Sequence, residues 1–322
     1  MNASRQLHAI EDRWATIKGS DFALGVRNGA VRLVGRAGER VGLSVTPNHF
    51  YGAVASRGHL AQSETWRRPF LPAGLHWDLA DQDKWLTDVM SLENRMTSAD
   101  KGKLDELGRI GSGFGYVEEQ VLFAFMRKYR PSRVIEIGSG RTTAIMRQAA
   151  LDLSTKITAI DPYSSLPAAL RCDVEVIQKP FQEQTGDIIC QLGEGDLLFI
   201  DSSHAVKTGS EVHLLYLDLL PRLRPGVHVH VHDIYLPFVH HPAILQEDLW
   251  DWQETALLAA LLSNSNKFSV DCALSALAHG SSESLDKSVP GYVARTTDDD
   301  GLFVDDEGHF PASLWMRSSE SG

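Results

Sequence analysis

The stretch Pro131-Ser-Arg-Val-Ile-Glu-Ile-Gly-Ser-Gly-Arg-Thr-Thr143 constrains this chain more than any other. Arg133 to Ile137 is a short, mostly β-branched run, as a buried strand requires, with Glu136 interrupting it near its end. Gly138 and Gly140 follow, and a helical pattern starts at once in Thr142-Thr-Ala-Ile-Met-Arg-Gln-Ala-Ala-Leu151. Strand, glycine turn and helix start in that order build a nucleotide-type pocket. Glycine lets the backbone approach a ligand closely, and the first helical turn offers N–H groups with no partner inside the helix.

Two fingerprints compete for such a turn. The dinucleotide pattern G-x-G-x-x-G/A needs a third small residue, and Thr143 stands in its place. The pattern E-x-G-x-G is intact as Glu136-Ile-Gly138-Ser-Gly140, and it resembles the first motif of class I S-adenosylmethionine-dependent methyltransferases. Lys156-Ile-Thr-Ala-Ile-Asp161 reads as the next strand, ending in a carboxylate that can accept two hydrogen bonds from ribose hydroxyls in either family. A glycine-rich turn in some other α/β protein is the bland alternative.

Charge and cysteine usage narrow the partners. With a net charge of −11 and no cluster of Lys or Arg, neither a nucleic-acid groove nor an anionic membrane is expected as the main partner. Three widely spaced cysteines, Cys172, Cys190 and Cys272, fit a reducing compartment without a disulfide framework. The first residues lack the apolar core of a signal peptide, and no apolar run reaches membrane-spanning length. The expectation is a cytoplasmic protein, with exposed N-terminal elements available for a homodimer contact.

Along the chain, residues 4–17 are weakly helical. Phe22 to Arg27, Asn28-Gly29 and Ala30 to Val34 form a hairpin pattern, and Val41 to Val45 adds a third strand to a small N-terminal β meander. Pro47 to Pro72 is loop-like and aromatic, either a packed connector or a substrate-side wall. Asp78 to Leu107 reads as one or two amphipathic helices, placed as a helical lid. Ile110-Gly-Ser-Gly-Phe-Gly115 is a hinge before a helix that ends near Tyr129. The expected division is 1–46 for the N-terminal element, 47–115 for connector and lid, and 116–322 for the cofactor domain.

Beyond Pro131 strands alternate with helices, which indicates an α/β fold with a mainly parallel, covered sheet. Strands are expected at 133–137, 156–161, 173–178, 195–201, 226–233, 267–272 and 312–317. Helices are expected near 142–153, 164–170, 181–191, 205–220 and 248–263. Residues 273–311, rich in Ser, Gly and Asp, read as a long, partly mobile excursion whose acidic clusters are solvated.

In open α/β sheets ligands sit outside the carboxyl ends of the strands. Gly195-Asp-Leu-Leu-Phe-Ile-Asp201 ends in an aspartate followed by Ser202, Ser203 and His204, and Gly226-Val-His-Val-His-Val-His-Asp233 ends in another. Asp201, His204, His232 and Asp233 should therefore converge at one edge, suited to a divalent metal or to acid–base chemistry. Plainer readings stand beside these. Asp201 would cap a helix starting at Ala205, Asp233 would anchor its loop, and His228, His230 and His232, sharing one strand face, would be core histidines rather than zinc ligands.

The segments Asp201-Ser-Ser-His-Ala-Val-Lys-Thr-Gly-Ser210 and Pro225-Gly-Val-His-Val-His-Val-His-Asp-Ile-Tyr-Leu-Pro237 resemble the bacterial methyltransferase group called family 24, with further likeness from Pro47-Asn-His-Phe-Tyr51 to Ser313-Leu-Trp-Met-Arg317. The resemblance implies a Rossmann-like, seven-stranded class I methyltransferase sheet with helices on both faces, its last strand inserted antiparallel beside the fifth. It implies S-adenosyl-L-methionine as cofactor, held by Glu136, Gly138, Ser139, Gly140, Thr143, Asp161, Pro162, Phe181 and Asp201. Related catechol and natural-product O-methyltransferases bind Mg²⁺ through acids at the places of Asp201 and Asp233. Their third ligand, Asn or Asp, falls at Ile234 here, so Mg²⁺ or another divalent metal would need Asp201, Asp233 and His232, or His204, water or substrate. His204 lies where those enzymes carry the lysine that deprotonates the acceptor, and imidazole suits that task. The expected activity is O-methylation of a small-molecule, natural-product-like hydroxyl, with His204, Asp201 and His232 as catalytic residues. A non-catalytic cofactor binder and an NAD-dependent oxidoreductase are the alternatives.

Overall fold

The computed structural model describes residues 31–45, 54–62, 65–107, 110, 113–184, 186–241, 245, 250–292, 295–296, 303–304 and 310–320. The chain divides into two compact units, Met1–Thr65 and Trp66–Gly322.

In the first unit, residues 31–39 are helical and 40–45 are turn and irregular chain, so the second and third strands of the expected meander are absent from these described residues. The physical reason is local. Arg32, Leu33, Arg36, Ala37 and Glu39 all favour helix, and a helix satisfies its own backbone groups where a strand needs a partner. The weak helix at 4–17, the strand 22–27, the Asn28-Gly29 turn and the segment 47–51 lie outside the described residues. A further helix spans Arg57–Gln62.

The second unit is built on seven strands. They are β1 (Arg133–Ile137), β2 (Lys156–Ile160), β3 (Glu175–Ile177), β4 (Leu197–Ile200), β5 (His228–His232), β6 (Phe268–Ala273) and β9 (Ser313–Ser318). Their order is β3-β2-β1-β4-β5-β9-β6. Strands β1 to β5 pair in parallel, while β9 runs antiparallel to both β5 and β6. All seven expected strands are present within a few residues. The order reverses between β1 and β4, so the carboxyl ends of those two strands flank the crevice of the sheet.

Side-chain alternation along the strands divides the core into two layers. Leu197 and Phe199 of β4 join Val134 and Trp315 on one face, while Leu198 and Ile200 join Ile135, Val229 and Val231 on the other. The helix Tyr116–Tyr129 buries Val117, Val121, Leu122, Phe125 and Met126 against the first face, and it ends at Arg130, left-handed at φ 50°, before Pro131. The helices Leu79–Val89 and Ser98–Glu106 bury Leu86, Val89, Met90 and Leu104 in the same layer.

Three connections differ from expectation. The 181–191 segment, expected as a helix, forms two short 3-10 turns, Phe181–Glu183 and Gly186–Gln191. The helix after β4 begins at Glu211, not Ala205, with Ser210 as its cap, and continues as a π turn (Leu215–Leu219) and a 3-10 turn (Leu220–Arg222). The Lys207-Thr208-Gly209 segment turns the chain first, so Asp201 is not a helix cap. After β6, the helices Leu274–Gly280 and Ser282–Ser288 stand where an irregular excursion is expected. Leu274, Leu277 and Ala278 follow helical spacing and are fully buried. Beyond them a short ladder pairs β7 (Arg295–Thr296) with β8 (Phe303–Val304). The acidic clusters 298–300 and 305–307 lie outside the described residues.

Candidate active site

At the end of β1 the backbone turns sharply under the next strand end. Gly138 has φ 112°, and a Cβ there would stand 2.3 Å from the Asp201 carbonyl oxygen. Only glycine permits that approach. Gly140 opens onto free space instead, with nothing within 4 Å of its Cβ position. The Thr143 hydroxyl accepts from the Gly140 N–H at 3.0 Å.

Glu136 is fully buried, and its carboxyl accepts from the Thr142 hydroxyl and, at 2.6 Å, from the Thr143 hydroxyl. It therefore shapes the loop through two threonines of the following helix. Burial raises Glu136 from 4.5 to about 8, against the lowering pull of those hydroxyls. A carboxyl raised in the folded state binds more protons folded than unfolded, so stability declines as pH rises from about 4.5 toward about 8. Glu136→Gln removes that slope. Its Tm should gain on the wild type by a few degrees between about pH 6 and about pH 8.5; an unchanged difference in thermal melts would refute the assignment.

At the end of β2, Ser139 Oγ donates to Asp161 Oδ2 at 2.6 Å and the Tyr163 N–H to Oδ1 at 2.8 Å. Asp161 thus stands partly exposed beside the glycine loop, with Pro162 exposed next to it. Phe181, after β3, is buried in the second core layer.

The ends of β4 and β5 bring four side chains together. His204 Nε2 lies 3.5 Å from Asp201 Oδ1 and 3.3 Å from Asp233 Oδ2. His232 Nδ1 lies 3.3 Å and 3.5 Å from the same two oxygens. His204 and Asp233 are left-handed, at φ 55° and 54°, which turns both side chains back over the sheet edge. Non-glycine residues held there carry a backbone cost, which other contacts must offset. Three are visible: the Tyr235 hydroxyl donates to Asp233 Oδ1 at 2.8 Å, His204 Nδ1 meets Glu254 Oε2 at 2.8 Å, and His232 Nε2 meets Glu118 at 3.4 Å.

Electrostatics follow from this packing. Burial opposes the charge on His204, but Asp201, Glu254 and Asp233 outweigh it and raise the imidazole to about 10. Burial likewise opposes charge on His232, and Asp233, Glu118 and Asp201 raise it well above its usual range. Burial works against the Asp201 anion as well, yet the two imidazoles hold its carboxyl below the usual carboxylate range.

The other two histidines of β5 are not part of this cluster. His230 is fully buried, stacked on Phe199 and edge-on to Trp315, with neither ring nitrogen hydrogen-bonded. His228 packs on Phe125 and Tyr129. Desolvation pushes His230 well below its usual range and His228 to about 4. Both are neutral core rings, as the plainer reading expects. Ile234, at the place of the third metal ligand of related enzymes, is fully buried in the second core layer.

Sequence reasoning missed Glu118, Glu254, Tyr235 and Trp252, whose ring lies 4.7 Å from His204. Glu118 and Glu254 sit in the first turns of their helices, where acids are common for dipole reasons alone. The one available signal was Glu254 opening the otherwise apolar run Glu-Thr-Ala-Leu-Leu-Ala-Ala-Leu-Leu262.

Residues 135–234 match the family model described as "Methyltransferase domain". No curated protein matches the sequence. Among solved structures, the chain is similar to an O-methyltransferase from Klebsiella pneumoniae described as putative in its own name, at 14% identity and TM-score 0.40, covering 73% of this chain and 90% of that one. It is also similar to an O-methyltransferase from Bacillus cereus in complex with SAH, at 13% identity and TM-score 0.39, covering 74% and 96%. A plantazolicin methyltransferase, solved with a desmethyl analogue and SAH, matches at 12% identity and TM-score 0.36, covering 75% and 98%.

Proposed function

We propose, for a chain whose residues 135–234 match a family model described as "Methyltransferase domain", that it transfers the methyl group of S-adenosyl-L-methionine to the hydroxyl of a small molecule. The observation that carries this reading is the juxtaposition at the sheet edge. The glycine turn of β1 packs directly on Asp201, and Asp201 in turn faces His204 and His232. Cofactor and acceptor chemistry thus share one crevice.

Gly138, Ser139 and Gly140 line the methionine side of the cofactor, Asp161 accepts from the ribose hydroxyls, and Pro162 and Phe181 flank the adenosine. Glu136 and Thr143 support this loop from beneath. Asp201 closes the pocket on the acceptor side. The acceptor O–H gives its proton to His204 Nε2 as its oxygen attacks the methyl in line with the S–C bond; that bond breaks and S-adenosylhomocysteine leaves. Glu254 fixes the imidazole through Nδ1. The same edge offers Asp201, Asp233 and His232 to a divalent ion. Trp252 against His204, with Trp250 half-exposed beside it, gives the acceptor an aromatic surface. This favours a flat, apolar, natural-product-like acceptor.

Within the expected 47–115 connector and lid, the helices Leu79–Val89 and Ser98–Glu106 would cover the cofactor side, and 116–322 would hold the cofactor. Arg141, at the start of the helix after the glycine turn, donates to the Leu104 carbonyl and pairs with Glu119 at 2.6 Å, in support. Cytoplasmic location and a homodimer remain part of the proposal; among the described residues no helix is long and apolar enough to cross a membrane.

Calorimetric titration with S-adenosylhomocysteine tests the cofactor class directly. Micromolar binding is expected, and tight NAD(H) binding in its place would overturn the reading in favour of an oxidoreductase. The base has its own signature. A proton acceptor raised to about 10 is active only when deprotonated, so in EDTA-treated enzyme kcat/KM should climb with pH toward that value. A flat profile would remove His204 from the role.

A further inference from the structure

Behind His204 lie two buried groups that proton transfer at Nε2 does not touch. Glu254 is fully buried and uses one carboxylate oxygen, Oε2, on His204 Nδ1 at 2.8 Å. Its other oxygen, Oε1, is closed off from water and has no hydrogen-bond partner among the described residues. The Tyr216 hydroxyl is in the same position. Its ring is fully buried in the second core layer, and its oxygen meets neither water nor a partner of its own.

The fold brings these two residues to one place. Tyr216 lies in the π turn Leu215–Leu219, and the helix Glu254–Leu262 packs against that turn. Such turns are rare and are frequent at functional sites. A buried acceptor and a buried donor each cost free energy when unpaired, and one hydrogen bond between them removes both costs. Burial, the Glu254 charge and Glu254 as acceptor together hold the phenol well above its usual range, so it keeps the proton that a donor needs. Phenylalanine would fill the core here as well as tyrosine; only the hydroxyl needs Glu254.

We infer that Tyr216 is a positioning residue: its hydroxyl donates to Glu254 Oε1, and the row Tyr216–Glu254–His204 holds the imidazole with Nε2 toward the acceptor. The carboxylate then has a donor on each oxygen, which fixes the plane in which it meets Nδ1. A ring nitrogen that donates to such a partner keeps its proton, and the other nitrogen stays basic. No proton travels along the row. The acceptor O–H gives its proton to Nε2, Nδ1 and the phenol keep theirs, and Glu254 remains the anion facing the imidazolium. The role toward the acceptor rests on the methyl-transfer reading; the hydrogen-bond row does not.

The test uses the full chain labelled with ¹⁵N-histidine and follows the His204 Nδ1 proton by NMR, identified by its loss in His204→Gln. In the wild type it should resonate downfield of an ordinary imidazole N–H, because a charged acceptor makes the stronger bond. Tyr216→Phe deletes one buried oxygen and keeps the ring. It should move the resonance further downfield by more than its width, since Glu254 then bonds to His204 alone. Glu254→Gln should move it upfield. Tyr129→Phe, in the first core layer beside His228, is the control and should leave it in place. Thermal melts establish that each variant folds. An unmoved resonance in folded Tyr216→Phe, or an equal shift in Tyr129→Phe, would overturn the role. S-adenosylhomocysteine titration of the same samples separates the two failures. Loss of that binding in the wild type, with the Tyr216→Phe shift present, would sink the methyltransferase reading and leave the row standing. Binding intact without the shift would sink the positioning role alone.

Discussion

His204→Ala should lower methyl-transfer turnover by about 10²- to 10⁴-fold and leave affinity for S-adenosylhomocysteine within about twofold of the wild type. The split follows from position. His204 sits at the end of the β4 loop, buried against Glu254, Asp201, Asp233 and the Trp252 ring. Its ring contacts Asp201, Asp233, Glu254 and Trp252, on the side of the edge proposed for the acceptor, so its removal should be felt there. Alanine also strands Glu254 in the core, and an unpaired buried charge is costly. His204→Gln is therefore the companion variant: it can still donate an amide hydrogen bond to Glu254 while lacking a basic nitrogen. Both variants should show the turnover loss, and thermal melts report how far alanine alone destabilises the fold. Loss of cofactor affinity together with turnover, in a glutamine variant that melts like the wild type, would remove His204 from acceptor chemistry.

Gly138→Ala should destabilise the protein by at least about 2 kcal/mol, or roughly 4 °C or more in Tm, and abolish cofactor binding at micromolar concentration. Two independent effects add. The residue is held at φ 112°, which L side chains rarely adopt, and its new methyl would stand 2.3 Å from the Asp201 carbonyl oxygen. That carbonyl cannot yield freely, because the Asp201 N–H is bonded to the Ile137 carbonyl at 2.9 Å within the sheet. The strain therefore passes into the turn between β1 and the helix Arg141–Ala149. Gly140→Ala is the contrast. Nothing lies within 4 Å of its Cβ position, so it should melt near the wild type while weakening S-adenosylhomocysteine binding by filling the cofactor's space. Equal stability for Gly138→Ala and the wild type would contradict the backbone geometry. Unchanged affinity in Gly140→Ala would place the cofactor elsewhere.

The sequence by itself determined the sheet and its edge. Strands betray themselves through local alternation and β-branched runs, so β1, β2, β4, β5, β6 and β9 were legible within a few residues. Gly138, Asp161, Asp201 and Asp233 were legible because a strand end in an open α/β sheet is already a place in space. The second and third strands of the N-terminal meander failed for the matching reason: over residues 31–39 a short run of Arg, Leu and Ala carries a helical preference. The helices after β6 were hidden by the polar composition of the segment around them, although their leucines kept helical spacing.

Only the tertiary structure decided what surrounds the edge formed by the ends of β4 and β5. Glu254 meets His204 across 50 residues of chain, and Glu118 meets His232 across 114. No period or local motif encodes such a meeting, because it depends on how two helices dock on the sheet. The same docking separated His232 from His228 and His230. All three share one strand face, but His232, the last residue of β5, stands within 3.5 Å of carboxylate oxygens, whereas His228 and His230 pack on aromatic rings. Residue type and strand register set which groups reach the edge; long-range packing sets which of them keep a charge, and against what.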